Sequence, residues 1–139
     1  MITVHIVDVE ILNLDSEFFV LPLSSLVNEE GKEVGDVNLI FCSDEYLLEM
    51  NRSHLEHDYF TDIITFDYCD GLLISGDLFI SYDRVVENAD VFNVTVQEEL
   101  CRVVAHGVLH LCGYGDKSEQ EIEVMRQKET YYLRLFGFT

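Results

Sequence analysis

The stretch VTVQEELCRVVAHGVLHLCGYGD, residues 94–116, carries the clearest helical pattern in the chain. Thr95 can cap a helix here, with Glu98 three residues further on as in a capping box. Apolar residues then recur at helical spacing: Leu100, Val103, Val104, Val108 and Leu111. The stretch predicts a long amphipathic helix that ends near Gly113 and packs one face against a core.

Two histidines lie four positions apart within this predicted helix. That spacing places His106 and His110 on one face, about one turn apart, which suits two ligands of a single metal ion. It is the spacing of zinc peptidases of the H-E-x-x-H type, but Gly107 stands where those enzymes keep a catalytic glutamate. A lone histidine on an apolar helix is more often a core residue, whereas two at this spacing before a glycine turn favour a metal site.

The sequence GYG at residues 113–115 follows the helix. Glycine reaches positive φ without strain, so the chain can leave the helix in a tight turn and bring Asp116 back towards the imidazoles. A carboxylate is an acceptable third zinc ligand and leaves a fourth position open to water, the arrangement of a catalytic site. The alternative is that Asp116 only caps the last helix, alongside Ser118.

The rest of the chain alternates short strands and helices. β-Branched and aromatic residues predict strands at residues 3–7, 37–42, 62–68 and 77–81. Helices are predicted at 22–30 with Pro22 in the first turn, at 43–51 after Ser43, at about 83–89, and over 117–136 with Ser118 as the cap. We therefore expect one α+β domain over residues 1–139, a layer of helices on a small mixed sheet of about four strands.

Length and composition indicate a globular protein. The 139 residues, 48% of them hydrophobic, suffice for one domain with a sizeable core. No apolar stretch approaches the roughly 18 residues that cross a bilayer, and the N-terminus shows no signal-peptide pattern. We expect a cytoplasmic protein without membrane contact. The four cysteines are scattered singly among apolar residues, which favours buried free thiols over ligands or disulfides.

The net charge bears on possible partners. Eight Lys and Arg against 27 Asp and Glu give a formal charge of −19. The mean field therefore repels nucleic acid and acidic membranes, and non-specific RNA binding should be weak. A local positive site or a metal ion can still hold a phosphate at short range.

Several motifs, taken together and in order, resemble the YbeY family of metal-dependent endoribonucleases. HGVLHLCGYGD (106–116) is similar to the family signature H-G-x-L-H-L-x-G-Y-D-H, and MNRSHLEHDYFTDIITFDY (50–68) to the segment L-N-x-x-Y-R-x-x-D-x-P-T-D-V-L-S-F. GDLFIS (76–81) resembles the strand G-D-I-x-I-S, and EIEVMRQKE (121–129) the start of the last helix. The resemblance covers roughly residues 37–135.

This resemblance implies a zincin-like fold and one Zn²⁺ per chain, held by His106, His110 and Asp116. It implies a single-strand-specific endoribonuclease in which a metal-bound water attacks the phosphodiester, so that no helix glutamate is needed. It further implies 3′-end maturation of small-subunit ribosomal RNA and ribosome quality control. The implied partners are ribosomal RNA, small-subunit proteins and a ribosome-assembly GTPase.

Two positions depart from the family pattern. Asp116 falls where the family normally has a histidine, and an oxygen donor there makes the bound water a little harder to deprotonate. Leu55 falls where the family has an arginine expected to hold RNA phosphate, and leucine has no donor for a phosphate oxygen. Arg102 or Arg52 is the predicted substitute.

Three residues are candidates to support the metal-bound water: Arg102, Asp62 and His57. Asp62 could orient a ligand histidine through its free ring N–H, or cap a local turn. His57 could relay protons, or be an ordinary surface histidine. Arg102 could instead form an ion pair within its helix, with Glu98 or Glu99.

Three functions stay open on the sequence alone. The first is the endoribonuclease. The second is a ribosome-assembly or RNA-binding factor with a mainly structural metal, which Leu55 and the charge of −19 favour. The third is a metallopeptidase, which Gly107 disfavours because the general base is missing.

Overall fold

The computed structural model describes residues 1–11, 14, 16–55 and 61–138, with the backbone alone for residues 54 and 55. Helices and strands alternate through these residues in the following order: β1 (Ile2–Ile6), α1 (Glu17–Glu29), β2 (Glu33–Cys42), α2 (Asp44–Leu55), β3 (Ile63–Asp67), β4 (Leu73–Ser81), α3 (Tyr82–Phe92), α4 (Val96–Leu111) and α5 (Glu119–Leu135). The expectation of an α+β fold, with helices on a mixed sheet of four strands, is confirmed.

The sheet has the strand order β1-β2-β4-β3. Strands β1, β2 and β4 are parallel, whereas β3 pairs antiparallel with β4. Parallel neighbours need long crossover connections, and α1 supplies the one from β1 to β2. Strand β4 thus lies between β2 and β3, at the place where α4 packs on the sheet.

Alternating side chains of β4 divide the core between the two faces of the sheet. Leu78 and Ile80 join the larger hydrophobic cluster, which includes the buried residues of α1, α4 and α5. Phe79 points to the smaller cluster around Leu47 of α2. Helix α4 contacts β3, β4 and three other helices, so its position is fixed from several sides.

Helix α1 begins earlier than predicted. The expected helix at residues 22–30 had Pro22 in its first turn, but the observed helix starts at Glu17 and Pro22 lies inside it. Its buried residues are Phe19, Leu23, Leu26 and Val27. Tertiary packing of this stripe stabilises the turn that precedes the proline, although proline lacks the N–H of an interior helical residue.

The predicted helix starts are confirmed at three caps. The hydroxyl of Ser43 accepts a hydrogen bond from the Tyr46 N–H at 3.1 Å, and that of Thr95 accepts from the Glu98 N–H at 3.1 Å. Ser118 forms a complete capping box at the start of α5. Each cap satisfies backbone donors that the first turn leaves unpaired.

The cysteines are free thiols, as predicted. Cys42 and Cys101 are buried, and burial raises the pKa of each thiol to about 12, so both stay protonated at neutral pH. Along the described chain, no helix combines the length and the apolarity that crossing a bilayer requires.

Candidate metal centre

The last two turns of α4 and the loop that follows them bring three donor atoms together. The Nε2 atoms of His106 and His110 lie 2.9 Å apart, and Oδ2 of Asp116 lies 3.4 Å and 3.3 Å from them. Gly113 adopts a φ of +108°, which turns the chain back towards the helix and favours glycine. The three residues that the sequence analysis singled out therefore meet in one cluster.

Hydrogen bonds at Nδ1 determine which ring nitrogen faces the cluster. His110 Nδ1 lies 2.8 Å from the Tyr114 carbonyl oxygen, which can only accept, so this nitrogen carries the proton. His106 Nδ1 lies 2.6 Å from Oε2 of Glu129 and donates to it in the same way. In neutral rings both Nε2 lone pairs then point into the cluster. Lone pairs that face one another and a carboxylate are stabilised by a cation.

The donor set fits zinc. Tetrahedral zinc with ligands at about 2.0–2.1 Å holds their donor atoms about 3.3 Å from one another. The observed separations of 2.9, 3.3 and 3.4 Å are close to that value. Two imidazoles and one carboxylate leave a fourth position for water or substrate. The Asp116 side chain is 45% exposed, so this side of the cluster opens to solvent.

Glu129 of α5 is the site residue that sequence reasoning missed. Its side chain is 9% exposed, and its two oxygens accept from His106 and, at 3.1 Å, from Arg102 Nη1. A carboxylate on the free N–H of a ligand histidine fixes the ring and strengthens the other nitrogen as a ligand. A signal was available in the sequence: Glu129 follows the buried Met125 by four positions, on the core stripe of α5.

Arg102 is held by two carboxylates. Its Nη2 and Nε atoms lie 2.6 Å and 2.8 Å from the two oxygens of Glu99, which is buried, and Nη1 reaches Glu129. The helical ion pair that the sequence left as an alternative is thus present, with Glu99 as the partner. Contact of Arg102 with a phosphate stays a prediction.

The electrostatic environment of His106 is acidic. Burial lowers its pKa, but the hydrogen bond and charge of Glu129, together with the charges of Asp62 and Asp116, outweigh burial and place the pKa above its usual range. The sequence analysis offered Asp62 as the hydrogen-bond partner of a ligand histidine. In the structure Glu129 forms that hydrogen bond to His106, and Asp62 contributes its charge. The surplus of negative charge around the donor atoms attracts a cation.

Not every residue that the sequence predicted for the site can be compared with the structure. His57 and the side chain of Leu55 lie outside the described residues, so proton relay by His57 and the effect of Leu55 stay predictions. Arg52, on α2, lies 4.0 Å from the Glu49 carboxylate.

Gly107 faces the sheet, not the donor cluster. A Cβ at this position would lie 2.3 Å from Cδ2 of Leu78 and 2.7 Å from Cδ1 of Ile63. No glutamate side chain fits between α4 and β4 here without displacing them. The general base of H-E-x-x-H peptidases therefore has no counterpart at position 107.

A groove of about 660 Å³ opens beside the donor cluster, between α4 and α5. His106 and Asp116 lie at its wall, with Glu129, Arg126 and Thr130 further along. The remaining lining is made by three charged residues of α4, Glu98, Glu99 and Arg102, and by apolar side chains: Phe92, Val94, Ile122, Met125 and Leu133. The groove gives a substrate direct access to the donors.

The fold and the site define a class: an α+β domain with two histidines and an aspartate grouped as in metallohydrolases. The family model described as Endoribonuclease YbeY matches residues 12–137. Two proteins named Endoribonuclease YbeY are similar to this chain. The one from Flavobacterium johnsoniae is 53% identical over 114 residues, which are 82% of each chain. The one from Phocaeicola vulgatus is 56% identical over 107 residues, which are 77% of this chain and 78% of the other.

A solved structure agrees with this match. The solution structure of a Thermotoga maritima protein is similar with a TM-score of 0.67 and 29% identity, over 96% of this chain and 88% of that one. The chain belongs to the YbeY endoribonuclease family. The resemblance stated from the motifs is confirmed, and so is the expectation of a hydrolase, because endoribonucleases are hydrolases.

Proposed function

We propose that this chain is a zinc-dependent endoribonuclease that hydrolyses phosphodiesters in single-stranded RNA. The observation that carries the proposal is the donor triangle of His106, His110 and Asp116, in which fixed Nδ1 hydrogen bonds direct both Nε2 atoms to one point. Family membership supports RNA as the substrate.

His106, His110 and Asp116 would hold the metal. When bound there, zinc would supply a water of lowered pKa as the nucleophile and positive charge to stabilise a phosphoryl oxygen. The chain's own residues keep the donors in place: Glu129 and the Tyr114 carbonyl fix the two imidazoles by their Nδ1 protons.

Arg102 and Asp62 support this centre from further out. The ion pair of Arg102 with Glu129 holds that carboxylate in place against His106. Asp62 adds negative charge near the ring. His57 is retained as a candidate proton relay on sequence grounds.

The natural substrate we propose is ribosomal RNA, in 3′-end maturation of the small-subunit RNA and in ribosome quality control in the cytoplasm. Small-subunit proteins and a ribosome-assembly GTPase are the proposed protein partners. These assignments rest on the family resemblance.

Incubation with two substrate classes tests the proposal. Zinc-loaded protein is mixed with small-subunit ribosomal RNA precursors and with unstructured peptides, each with and without a chelator. We expect chelator-sensitive cleavage of RNA and intact peptides. Binding of RNA without cleavage would favour the assembly factor, and cleavage of peptides would favour a peptidase.

A further inference from the structure

In the part of the chain that the structure describes, four of the eight basic residues lie within 4.0 Å of carboxylates, in the pairs Arg52–Glu49, Arg84–Asp44, Arg102–Glu99 and Lys128–Glu30. Arg126 and Arg134, both exposed on α5, form no ion pair within the residues that the structure describes. Their positive charges are therefore available to an external anion.

These two arginines lie on one stripe of α5. Arg126, Thr130 and Arg134 follow one another at intervals of four, so they share a face, and the helical rise separates the two arginines by about 12 Å. Arg126 and Thr130 line the groove that contains His106 and Asp116. Thr130 and Arg134 line the adjoining cavity of about 190 Å³. The stripe thus begins beside the donor cluster and leads away from it.

The chemistry of the stripe suits a nucleic-acid backbone. Guanidinium groups donate two parallel hydrogen bonds to a phosphate. Because the net charge of the chain is −19, its affinity for RNA must come from such local cations. Tyr131 and Leu135, 46% and 51% exposed, lie with both arginines around a second cavity. An exposed aromatic ring next to a basic stripe offers a surface on which a base can stack.

We propose that Arg126 and Arg134 form a phosphate track, which binds the single-stranded RNA on one side of the scissile bond. The proposal rests on the RNA cleavage proposed above and specifies where the strand lies relative to the metal centre. In this arrangement the strand leaves the donor cluster along α5, with one phosphate bound by Arg126 and another, further along the strand, bound by Arg134.

Cleavage kinetics at several salt concentrations test the track. We compare the zinc-loaded wild type with Arg126→Gln, Arg134→Gln and the double variant, on a single-stranded oligonucleotide of about ten nucleotides and on a dinucleotide. Lys32→Gln is the matched control, because it removes one positive charge away from α5. Zinc content is measured for every protein.

We expect each arginine variant to lower kcat/KM on the longer RNA about tenfold at low salt, mainly through KM. The slope of log kcat/KM against log salt should become shallower by about 0.7 per arginine removed. The loss should be smaller on the dinucleotide, which is too short to reach Arg134. Zinc content should stay at the wild-type level, and Lys32→Gln should keep the wild-type slope.

A double variant that keeps the wild-type salt slope, or whose slope changes only as that of Lys32→Gln does, would overturn the track. The proposed function would still stand in that case if the wild type cleaves RNA. A wild type that cleaves neither RNA would overturn both.

Discussion

The three donor residues are held with different rigidity. His106 and His110 lie on α4, and each ring is fixed by a hydrogen bond at Nδ1. Asp116 lies on a loop after Gly113 and Gly115, and its side chain is the most exposed of the three. Helical donors set the position of the metal, while the aspartate can adjust to it.

Glu129→Gln tests the carboxylate behind His106. The substitution keeps the size of the side chain but replaces a charged acceptor by a neutral one, so His106 should become a weaker ligand. We expect zinc affinity to fall about tenfold or more, measured by competition with a chromophoric chelator. Glu123→Gln, on the exposed side of the same helix, is the control. Equal affinities in the two variants would show that Glu129 does not act on the metal centre.

Asp116→His tests the third donor. A histidine restores the ligand that the family pattern has at this position and should bind zinc more tightly than the aspartate does. The same competition titration gives the affinity. An unchanged affinity would indicate that residue 116 does not ligate the metal.

Single helices and turns could be predicted where the signals lie within one short segment of the sequence. Helix α4, its Thr95 cap and the return of Asp116 could be read from residues 94–116, because cap, periodicity and glycine turn are all local. The contact of His106 with Glu129 joins positions 23 residues apart on two helices, and nothing in either segment specifies that pairing. The start of α1 was predicted wrongly because burial against the sheet outweighs the proline signal.

Gly107→Ala tests the close packing of α4 on the sheet. The added methyl group would overlap Leu78, which is fully buried on β4, and Ile63, which is partly buried on β3. Overpacking of this kind costs about 1–3 kcal/mol of unfolding free energy, measured by urea denaturation. Gln97→Ala, at an exposed position of α4, should change stability by less than about 0.5 kcal/mol. If both variants are equally stable, the packing at position 107 is looser than described.

Glu30 connects α1 to α5 and to the metal-site loop. Its carboxylate accepts from Tyr132, from Tyr114 at 2.6 Å and from Lys128 Nζ at 3.0 Å. Burial raises its pKa, but these hydrogen bonds outweigh burial and hold the pKa below the ordinary 4.5. Ionised Glu30 therefore stabilises the fold above that pH, and the stabilisation is lost as the pH falls through the folded-state pKa.

Glu30→Gln should accordingly lower the unfolding free energy by about 1–3 kcal/mol at pH 7. The difference from the wild type should shrink as the pH falls below 4.5, the ordinary value for this carboxyl. Urea denaturation across that range measures both effects. A difference that stays constant with pH would mean that the charge of Glu30 contributes nothing.

At the scale of the whole molecule, charge is distributed unevenly. The net charge of −19 repels RNA at long range. In the part of the chain that the structure describes, four of the eight basic residues pair with carboxylates. Arg126 lies in the groove beside the metal centre, and Arg134 lies two turns further along α5. The sequence predicted the sign of the mean field. The sequence could not show which basic side chains form ion pairs, because such pairs join residues far apart in the chain. Lys128 of α5, for example, pairs with Glu30 at the end of α1.

We propose that one metal, held by His106, His110 and Asp116, makes this chain an RNA hydrolase. Stepwise addition of zinc to metal-free protein, with cleavage of single-stranded RNA measured at each step, tests this claim. Activity should rise in proportion to bound zinc and level off at about one zinc per chain. His110→Ala should neither bind zinc nor cleave, while the exposed-residue control His5→Ala behaves as the wild type. Undiminished cleavage by the metal-free protein or by His110→Ala would contradict the claim.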